Sequence, residues 1–366
     1  LKNSNIKLIK PDNYMPMTEH WEWALSHAIG EWIIILGSDD GLMPYFFELA
    51  EFLTAEASKN DIKVVNSRRA YFFWNGCDDL FEKLLISYSA TASYEMKKTK
   101  CQIIYSIIGE QSYVHLPQAY TSSLMHKTLV EEIKHKQQGI FFASLTPDAA
   151  AAAAICSTEK FFLETGIPLG WVGTSSKSNG MAYSRYRSTY QEEHKNEALI
   201  NMYSTKIHWN NLMGEFCKNS ERAIINNHKA YFYESILQTH RLQSSFWKAV
   251  YNSKLFKLLV FSRILYEIKN NKDKTDIENL KFIASKNDIS FKYICFCERH
   301  IIPIISRYYK NRQLKVDKEN SRLQNISCFL NREEGTDLSL MDAYKIIYNL
   351  NIENNFIKNF ISRSTN

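Results

Sequence analysis

Two adjacent aspartates, Asp39 and Asp40, follow a continuous apolar run and are the strongest candidates for chemistry in the sequence. The run occupies residues 32–36 between two glycines, a pattern typical of a strand covered on both faces of a largely parallel sheet. Ligands bind at the carboxyl edge of such sheets, where paired carboxylates can hold a divalent ion against a diphosphate. A turn and helix start explains these residues equally well, because Asp-Gly favours turns and Pro44 opens a helical pattern. Both interpretations stay open on local spacing.

Asp148 and Lys177 are two further candidates. Asp148 precedes six consecutive alanines, and a carboxylate at a helix start beside a cleft can take a proton from an attacking hydroxyl. By position alone, capping of the alanine helix is the better explanation. Lys177 stands in a polar loop, where it could neutralise a leaving diphosphate, although lysines in such loops more often serve solubility.

Glycine and proline punctuation predicts the elements that position these residues in the first half of the chain. They are a helix at 18–28 capped by Thr18, a strand at 32–36, a helix at 44–59, strands at 62–66, 71–74 and 166–173, and the alanine helix at 147–155. Beyond about residue 190 glycine and proline nearly vanish, so helices are expected there.

Residues 244–272 interleave aromatic and aliphatic side chains with six Lys or Arg and a single glutamate, Glu267. Such a helix can lie in a membrane interface, with its bases toward anionic head groups. A core-facing helix with a solvated basic back has the same composition, and this interpretation is the favoured one.

Composition limits the class of protein. The chain has 366 residues, of which 45% are hydrophobic and 23% charged, so it is globular rather than disordered or fibrous. No uncharged stretch is long enough to span a bilayer. Seven scattered cysteines without a CxxC pair favour reduced thiols in a cytoplasmic protein. A net charge of +6 suits a phosphate ligand or an anionic surface, and is too small for a dedicated nucleic-acid binder.

The order of several blocks resembles bacterial family 2 glycosyltransferases of the GT-A fold, in the capsule and surface-polysaccharide branch. The blocks are Trp-Glu-Trp-Ala-Leu (21–25), Gly-Ser-Asp-Asp-Gly-Leu-Met-Pro (37–44), Leu-Pro-Gln-Ala-Tyr (116–120), Thr-Pro-Asp (146–148) and Val-Gly-Thr-Ser-Ser-Lys-Ser-Asn-Gly (172–180). The resemblance covers about residues 13–190. It implies a Rossmann-like GT-A domain at 1–190 with a mostly parallel sheet, followed by a mainly helical region at 191–366 that serves the acceptor or lies near the membrane.

The resemblance also implies an activity: inverting transfer of a sugar from a nucleotide-diphosphate donor, most plausibly a UDP-sugar, to a lipid-linked or polysaccharide acceptor. Asp40 would bind Mn²⁺ or Mg²⁺ directly, Asp39 would support the metal or the ribose-diphosphate, and Asp148 would be the catalytic base. Lys177 is expected to contact the diphosphate because of its place in the polar loop, not because of the resemblance. The expected place of action is the cytoplasm, with peripheral contact at the inner membrane face.

The sequence departs from the family pattern in two places. Position 38 is serine where many relatives have the first aspartate of the motif, and the family's opening strand with its Pro-Thr-x-Asn-Arg-like segment is not in the sequence. We therefore expect the GT-A domain to be incomplete at its start and the chain to be a fragment. The alternative function is a non-catalytic remnant that serves as a scaffold in a polysaccharide-assembly complex.

Overall fold

The chain has an α/β architecture with two mixed sheets and many helices. The structure is a computed structural model, and it describes residues 6–82, 84–176, 178, 181, 228–269, 274–319, 325–331, 339–349, 357–358 and 360–362. The strands are β1 (Trp32–Ile33), β2 (Gly41–Leu42), β3 (Val64–Ser67), β4 (Ala70–Phe73), β5 (Leu84–Thr91), β6 (Tyr94–Lys98), β7 (Ser123–His126), β8 (Phe161–Thr165), β9 (Gly170–Thr174) and β10 (Asn325–Asn331).

The α-helices occupy both halves of the chain. They are α1 (Met17–Ser26), α2 (Phe46–Lys59), α3 (Asp78–Phe81), α4 (Thr99–Ile108), α5 (Lys127–Lys136), α6 (Pro147–Thr158), α7 (His228–Gln238), α8 (Ser245–Asn252), α9 (Lys254–Lys269), α10 (Lys274–Lys286), α11 (Phe291–Phe296), α12 (Ile302–Glu319) and α13 (Leu340–Asn349). Within the described ranges, no helix is both long and apolar enough to cross a bilayer.

Strand pairing differs from the sequence expectation. The first sheet has the order β1-β7-β3-β8-β6 and the second β10-β5-β4-β9-β2. Only β3 with β8 and β4 with β9 pair in parallel among the described strands, and their other pairings are antiparallel. The predicted mostly parallel sheet is therefore wrong.

The run at 32–36 also forms less strand than predicted. Its strand, β1, has two residues and pairs only with β7 at the edge of the first sheet. Of the remaining run, Ile35 forms an isolated parallel bridge to Tyr120, and Leu36 is exposed. Ile33 is the one buried residue of the run, so the predicted coverage on both faces is also wrong. An apolar run does not reveal how many neighbouring strands the backbone will meet.

The start of α1 corrects another local expectation. Pro16 occupies the position before the helix, and Thr18 does not cap it. Instead the Thr18 hydroxyl donates to the carbonyl oxygens of Ser144 and Leu145, at 3.1 and 3.2 Å. This buried threonine ties α1 to the segment that leads into α6.

The alanine helix α6 lies in the centre of the molecule, as its small side chains predict. All six alanines are buried. Ala149, Ala152 and Ala153 contact a core formed with the C-terminal helices, whereas Ala151 and Ala154 contact the core beside α5 and β7. Alanine allows this because a methyl side chain lets neighbouring elements approach the helix backbone from several directions.

Lys100 joins α4 to the carboxyl end of α6. Its ammonium group donates to the carbonyl oxygens of Cys156 and Ser157, at 3.2 and 2.8 Å, and to the Gln243 side chain at 2.6 Å. Burial lowers the pKa of Lys100 to about 8. The lysine satisfies carbonyl groups that the end of a helix would otherwise leave without donors.

Residues near the end of the chain complete the second sheet. Strand β10 pairs with β5, with Cys328 opposite Tyr88. Ala343 and Ile347 of α13 join the same hydrophobic core as Phe52 of α2. The proposed boundary between residues 190 and 191 falls outside the described residues.

Candidate functional site

The loop between β1 and β2 holds Asp40 in a buried position. The Asp40 side chain is only 5% exposed. One carboxylate oxygen, Oδ2, accepts hydrogen bonds from the Gly37 amide at 2.6 Å and the Thr121 hydroxyl at 2.9 Å. The other, Oδ1, accepts one from the Gly173 amide at 2.8 Å, and the Tyr120 hydroxyl also bonds to this carboxylate. Asp40 therefore joins its own loop to β9 and to the segment before β7.

Two glycines permit this close approach. A side chain at Gly37 would lie 2.8 Å from the nearer Asp40 carboxylate oxygen. A side chain at Gly173 would overlap the backbone carbonyl of Asp39. Because backbone atoms cannot swing away as a flexible side chain can, position 173 requires glycine while the loop keeps this conformation.

Asp39 has a different environment. Its side chain is partly exposed, and the hydroxyl and amide of Ser175 donate to its carboxylate. Burial, followed by the negative charge of Asp40, raises the pKa of Asp39, and the Ser175 hydrogen bonds oppose this rise. In the part of the chain that the structure describes, neither aspartate forms an ion pair with Lys or Arg. The loop thus carries negative charge that a cation would offset.

Arg69 and Tyr120 lie between the aspartate loop and α6. The Arg69 guanidinium lies 5.8 Å from the centre of the Tyr120 ring and donates to the side chain of Gln118. Gln118 is fully buried, and it in turn donates to the Tyr113 carbonyl at 2.7 Å. Burial, then the charge of Asp40, raises the pKa of Tyr120, so this hydroxyl stays protonated as a donor.

Asp148 occupies the first turn of α6, where the Ala149 amide donates to one of its oxygens at 2.9 Å. The Tyr113 hydroxyl lies 3.5 Å from the other oxygen. Burial raises the pKa of Asp148, and the positive charge of Arg69 is the largest opposing influence. Burial therefore makes this carboxylate a stronger proton acceptor than an exposed aspartate.

Helix α1 fixes the segment that precedes Asp148. Besides the Thr18 bonds, Glu22 accepts hydrogen bonds from the Phe141 and Phe142 amides at 2.9 and 3.0 Å. Lys134 pairs with the same glutamate at 2.7 Å. These contacts set where the chain enters α6, and hence where Asp148 lies.

Tyr120 and Arg69 link three of the four predicted site residues. The Tyr120 hydroxyl bonds to Asp40, and the charge of Asp39 also acts on it. The Arg69 guanidinium lies 5.8 Å from the centre of the Tyr120 ring, and its charge acts on Asp148. Lys177, the fourth, lies outside the described residues.

Sequence reasoning assigned no role to Arg69, Tyr120 or Gln118. Gln118 and Tyr120 belong to the Leu-Pro-Gln-Ala-Tyr block, which was recognised only as a resemblance. Arg69 is the second of two arginines between β3 and β4. Its place between two strands is the one feature of the sequence that could have indicated a binding role.

The two aspartates suit a cation whose remaining ligands come from a bound phosphate and water, rather than a cation held by protein side chains alone. No group of three or more His, Cys, Asp or Glu suited to a metal occurs among the described residues. Mg²⁺ is commonly bound by one or two carboxylates, with phosphate and water oxygens completing its shell. Asp39, whose carboxylate has fewer protein donors than that of Asp40, is the better placed ligand.

Comparisons of this chain with protein-family models, with curated proteins and with solved structures gave no match.

Proposed function

We propose that this chain is an inverting glycosyltransferase of the GT-A type. It transfers a sugar from a nucleotide-diphosphate donor, a UDP-sugar, to the hydroxyl of a lipid-linked or surface-polysaccharide acceptor in the cytoplasm. The observation that supports the proposal is the link from Asp39 and Asp40 through Tyr120 and Arg69 to Asp148. Asp148 is more than a hundred residues from the aspartate pair in sequence, so neither turn formation at 37–41 nor capping of α6 requires such a link.

Asp148 is the proposed catalytic base. It takes the proton from the acceptor hydroxyl as that oxygen forms a bond to the anomeric carbon, and the nucleoside diphosphate leaves from the opposite face. A single base is sufficient for a one-step displacement with inversion. Its raised pKa, with burial as the largest cause, makes the carboxylate more basic than an exposed aspartate.

Asp39 and Asp40 receive different roles in this proposal. Asp39 would hold Mn²⁺ or Mg²⁺, which would neutralise charge on the leaving diphosphate. Asp40 positions the loop, because four protein donors already engage its carboxylate. This assignment exchanges the direct and supporting roles that the family resemblance implies.

Arg69 is a further proposed contact of the diphosphate. Its side chain is partly buried, and its Nε atom has no hydrogen-bond partner among the described residues. A guanidinium group presents donors in a planar arrangement that matches phosphate oxygens. Gln118 holds one end of the guanidinium in place, which reduces the loss of side-chain freedom on binding.

Calorimetric titration with UDP, with and without Mn²⁺, together with a donor-consumption assay tests the proposal. Asp148→Asn should keep metal-dependent UDP binding and lose transfer, whereas Asp39→Asn should lose the metal dependence of binding. Asp79→Asn, an exposed aspartate at the start of α3, is the matched control and should change neither.

The opposite results are equally informative. Failure of folded protein to bind UDP with any divalent cation would contradict the donor site and favour the scaffold alternative. Unchanged transfer by Asp148→Asn would remove Asp148 as the base.

A further inference from the structure

The outward face of one long helical segment carries apolar and basic side chains together. Helix α11 continues through a π-helical turn at Cys297–Ile301 into α12. Pro303 lacks an N–H and would crowd the carbonyl of Arg299 in a regular α-helix, so the wider turn relieves this conflict. Helix α11, the π-helical turn and α12 therefore form one continuous helical rod, which we call the rod, from residue 291 onward.

Its inner side is fixed to the body of the protein. Ile294, Cys297 and Ile302 are buried. The Ser306 hydroxyl donates to Glu110 at the end of α4, and the Tyr309 ring lies 5.4 Å from that of Tyr105. These contacts determine which side of the rod faces outward.

The outward side presents a continuous apolar stripe with bases beside it. Each apolar member is more than half exposed: Tyr293, Phe296, Ile304 and Tyr308. The exposed bases of the same side are Lys292, Arg299, His300, Arg307 and Lys310. We call these nine residues the outer stripe.

No acid opposes these charges within residues 291–310 on this side. The one acidic residue of that range, Glu298, is buried and pairs with Lys269 at 2.9 Å. The apolar members Tyr293 and Tyr308 lie fifteen positions apart, which is about 22 Å along a helix. The outer stripe thus combines a long apolar line with bases and no acid of its own, although the exposed Glu110 lies nearby, bonded to Ser306.

Most of α9, in the basic segment at 244–272, faces the core instead, although Phe246 of α8 and Leu255 of α9 are exposed. Phe256, Val260, Phe261 and Ile264 of α9 are buried in the core that includes α6. The core-facing interpretation of α9 is therefore confirmed.

We propose that the outer stripe binds the surface of an anionic lipid bilayer. Tyr293, Phe296, Ile304 and Tyr308 enter the head-group region, while the bases beside them contact lipid phosphates. An interfacial helix binds through this combination of apolar area and attraction to anionic lipid. The proposal gives a surface and a lipid class to the membrane contact that the sequence leads us to expect, and it does not depend on the transferase chemistry.

Charge favours a bilayer over a second copy of the chain. Pairing two outer stripes would place bases against bases, and like charges brought together without acids repel. An anionic bilayer instead offers phosphate groups of the opposite sign along the whole length of the rod. The lipid surface is therefore the occupant that complements both properties of the stripe.

Cosedimentation with vesicles tests this surface in the full chain. We expect binding to vesicles with one third phosphatidylglycerol, little binding to phosphatidylcholine alone, and a progressive loss as salt is added. Arg299→Gln with Arg307→Gln should weaken binding about 25-fold, since each base near an anionic surface contributes roughly a fivefold factor. Phe296→Ser with Tyr308→Ser should weaken binding to the anionic vesicles at both low and high salt, because salt does not screen the apolar contribution.

Controls separate this surface from general charge and hydrophobicity. Phe47→Ser with Lys127→Glu removes an exposed aromatic side chain and an exposed base elsewhere and should bind like the wild type. Phe246→Ser with Leu255→Ser removes the exposed apolar residues of α8 and α9, and this variant should also bind vesicles like the wild type.

Several results would overturn the proposal. The first is equal binding of the wild type to both vesicle types. The second is full binding by outer-stripe variants that keep the wild-type melting temperature. The third is loss of binding only when Phe246 and Leu255 of α8 and α9 are replaced. Dimers that dissociate on substitution of the stripe, without vesicle binding, would also overturn it and identify a second copy as the partner. If a variant fails to fold, the lipid comparison and salt series on the wild type still decide the outcome. Transfer activity enters none of these readouts, so failure here is distinct from failure of the proposed function.

Discussion

Replacing Asp40 with asparagine would distinguish a residue that builds the loop from one that ligates a cation. The amide of asparagine keeps one acceptor oxygen, which can stay with the Gly37 amide and the Thr121 hydroxyl. Its nitrogen would then face the Gly173 amide, a donor now 2.8 Å from Oδ1. The change loses a hydrogen bond to a charged acceptor and leaves buried donors without acceptors.

The expected cost follows from these contacts. A hydrogen bond to a charged group contributes about 1.5–3 kcal/mol and an unsatisfied buried donor costs about 1–3 kcal/mol. Relief of repulsion with Asp39 offsets part of this sum, so we expect a loss of about 3 kcal/mol in the free energy of unfolding. Urea denaturation followed by tryptophan fluorescence measures this difference as a shift in midpoint at constant slope.

Asp39→Asn is the control for the same loop. It removes a partly exposed charge whose pKa is raised, so it should leave the free energy of unfolding unchanged or slightly higher. Equal midpoints for Asp40→Asn and the wild type would refute the reasoning, because the Asp40 carboxylate would then be free for direct binding of a cation.

Three further predictions concern residues around this site. Asp148→Asn should be more stable than the wild type at neutral pH, because a raised carboxylate pKa in the folded state makes ionisation unfavourable to folding. This advantage should vanish as pH falls below about 3.9, where the carboxyl is protonated in both states, and urea midpoints across pH measure it. The stability of the wild type relative to Lys100→Met should rise by about 2 kcal/mol from pH 7 to pH 10, because the folded pKa is about 8 and the unfolded pKa is near 10.5. A flat difference would mean that Lys100 is not buried as described. Gly173→Ala should lower the melting temperature and weaken UDP binding, since its methyl group overlaps the Asp39 carbonyl, whereas Gly139→Ala, which would meet no atom within 4 Å but has a positive φ, should cost only local backbone strain.

Local sequence patterns predicted many individual elements correctly. The helix around Trp21, the helix ending at Lys59 and the alanine helix are all present. Strands also form near 62–66, 71–74 and 166–173, although their ends differ by a few residues. These patterns succeed because side-chain periodicity and turn residues act within a few positions of the chain.

Residues 80–106 show where local patterns were insufficient. They contain β5, β6 and most of α4, but their sequence has no clean period. Strand β5 pairs on one side with β4, the preceding strand, and on the other with β10, over two hundred residues later in the chain. A strand stabilised by such contacts needs no strong local signal.

The sequence by itself determined which residues could do chemistry: an aspartate pair after an apolar run and an aspartate at the start of a buried helix. It did not determine that Asp40 is enclosed while Asp39 stays accessible, because adjacent residues of the same type have the same local signal. Only the tertiary structure decided this, by bringing donors from Thr121 and Gly173 to one carboxylate. The mixed strand directions were also decided there, since apolar patterning encodes burial, whereas hydrogen-bond partners depend on which distant segments meet.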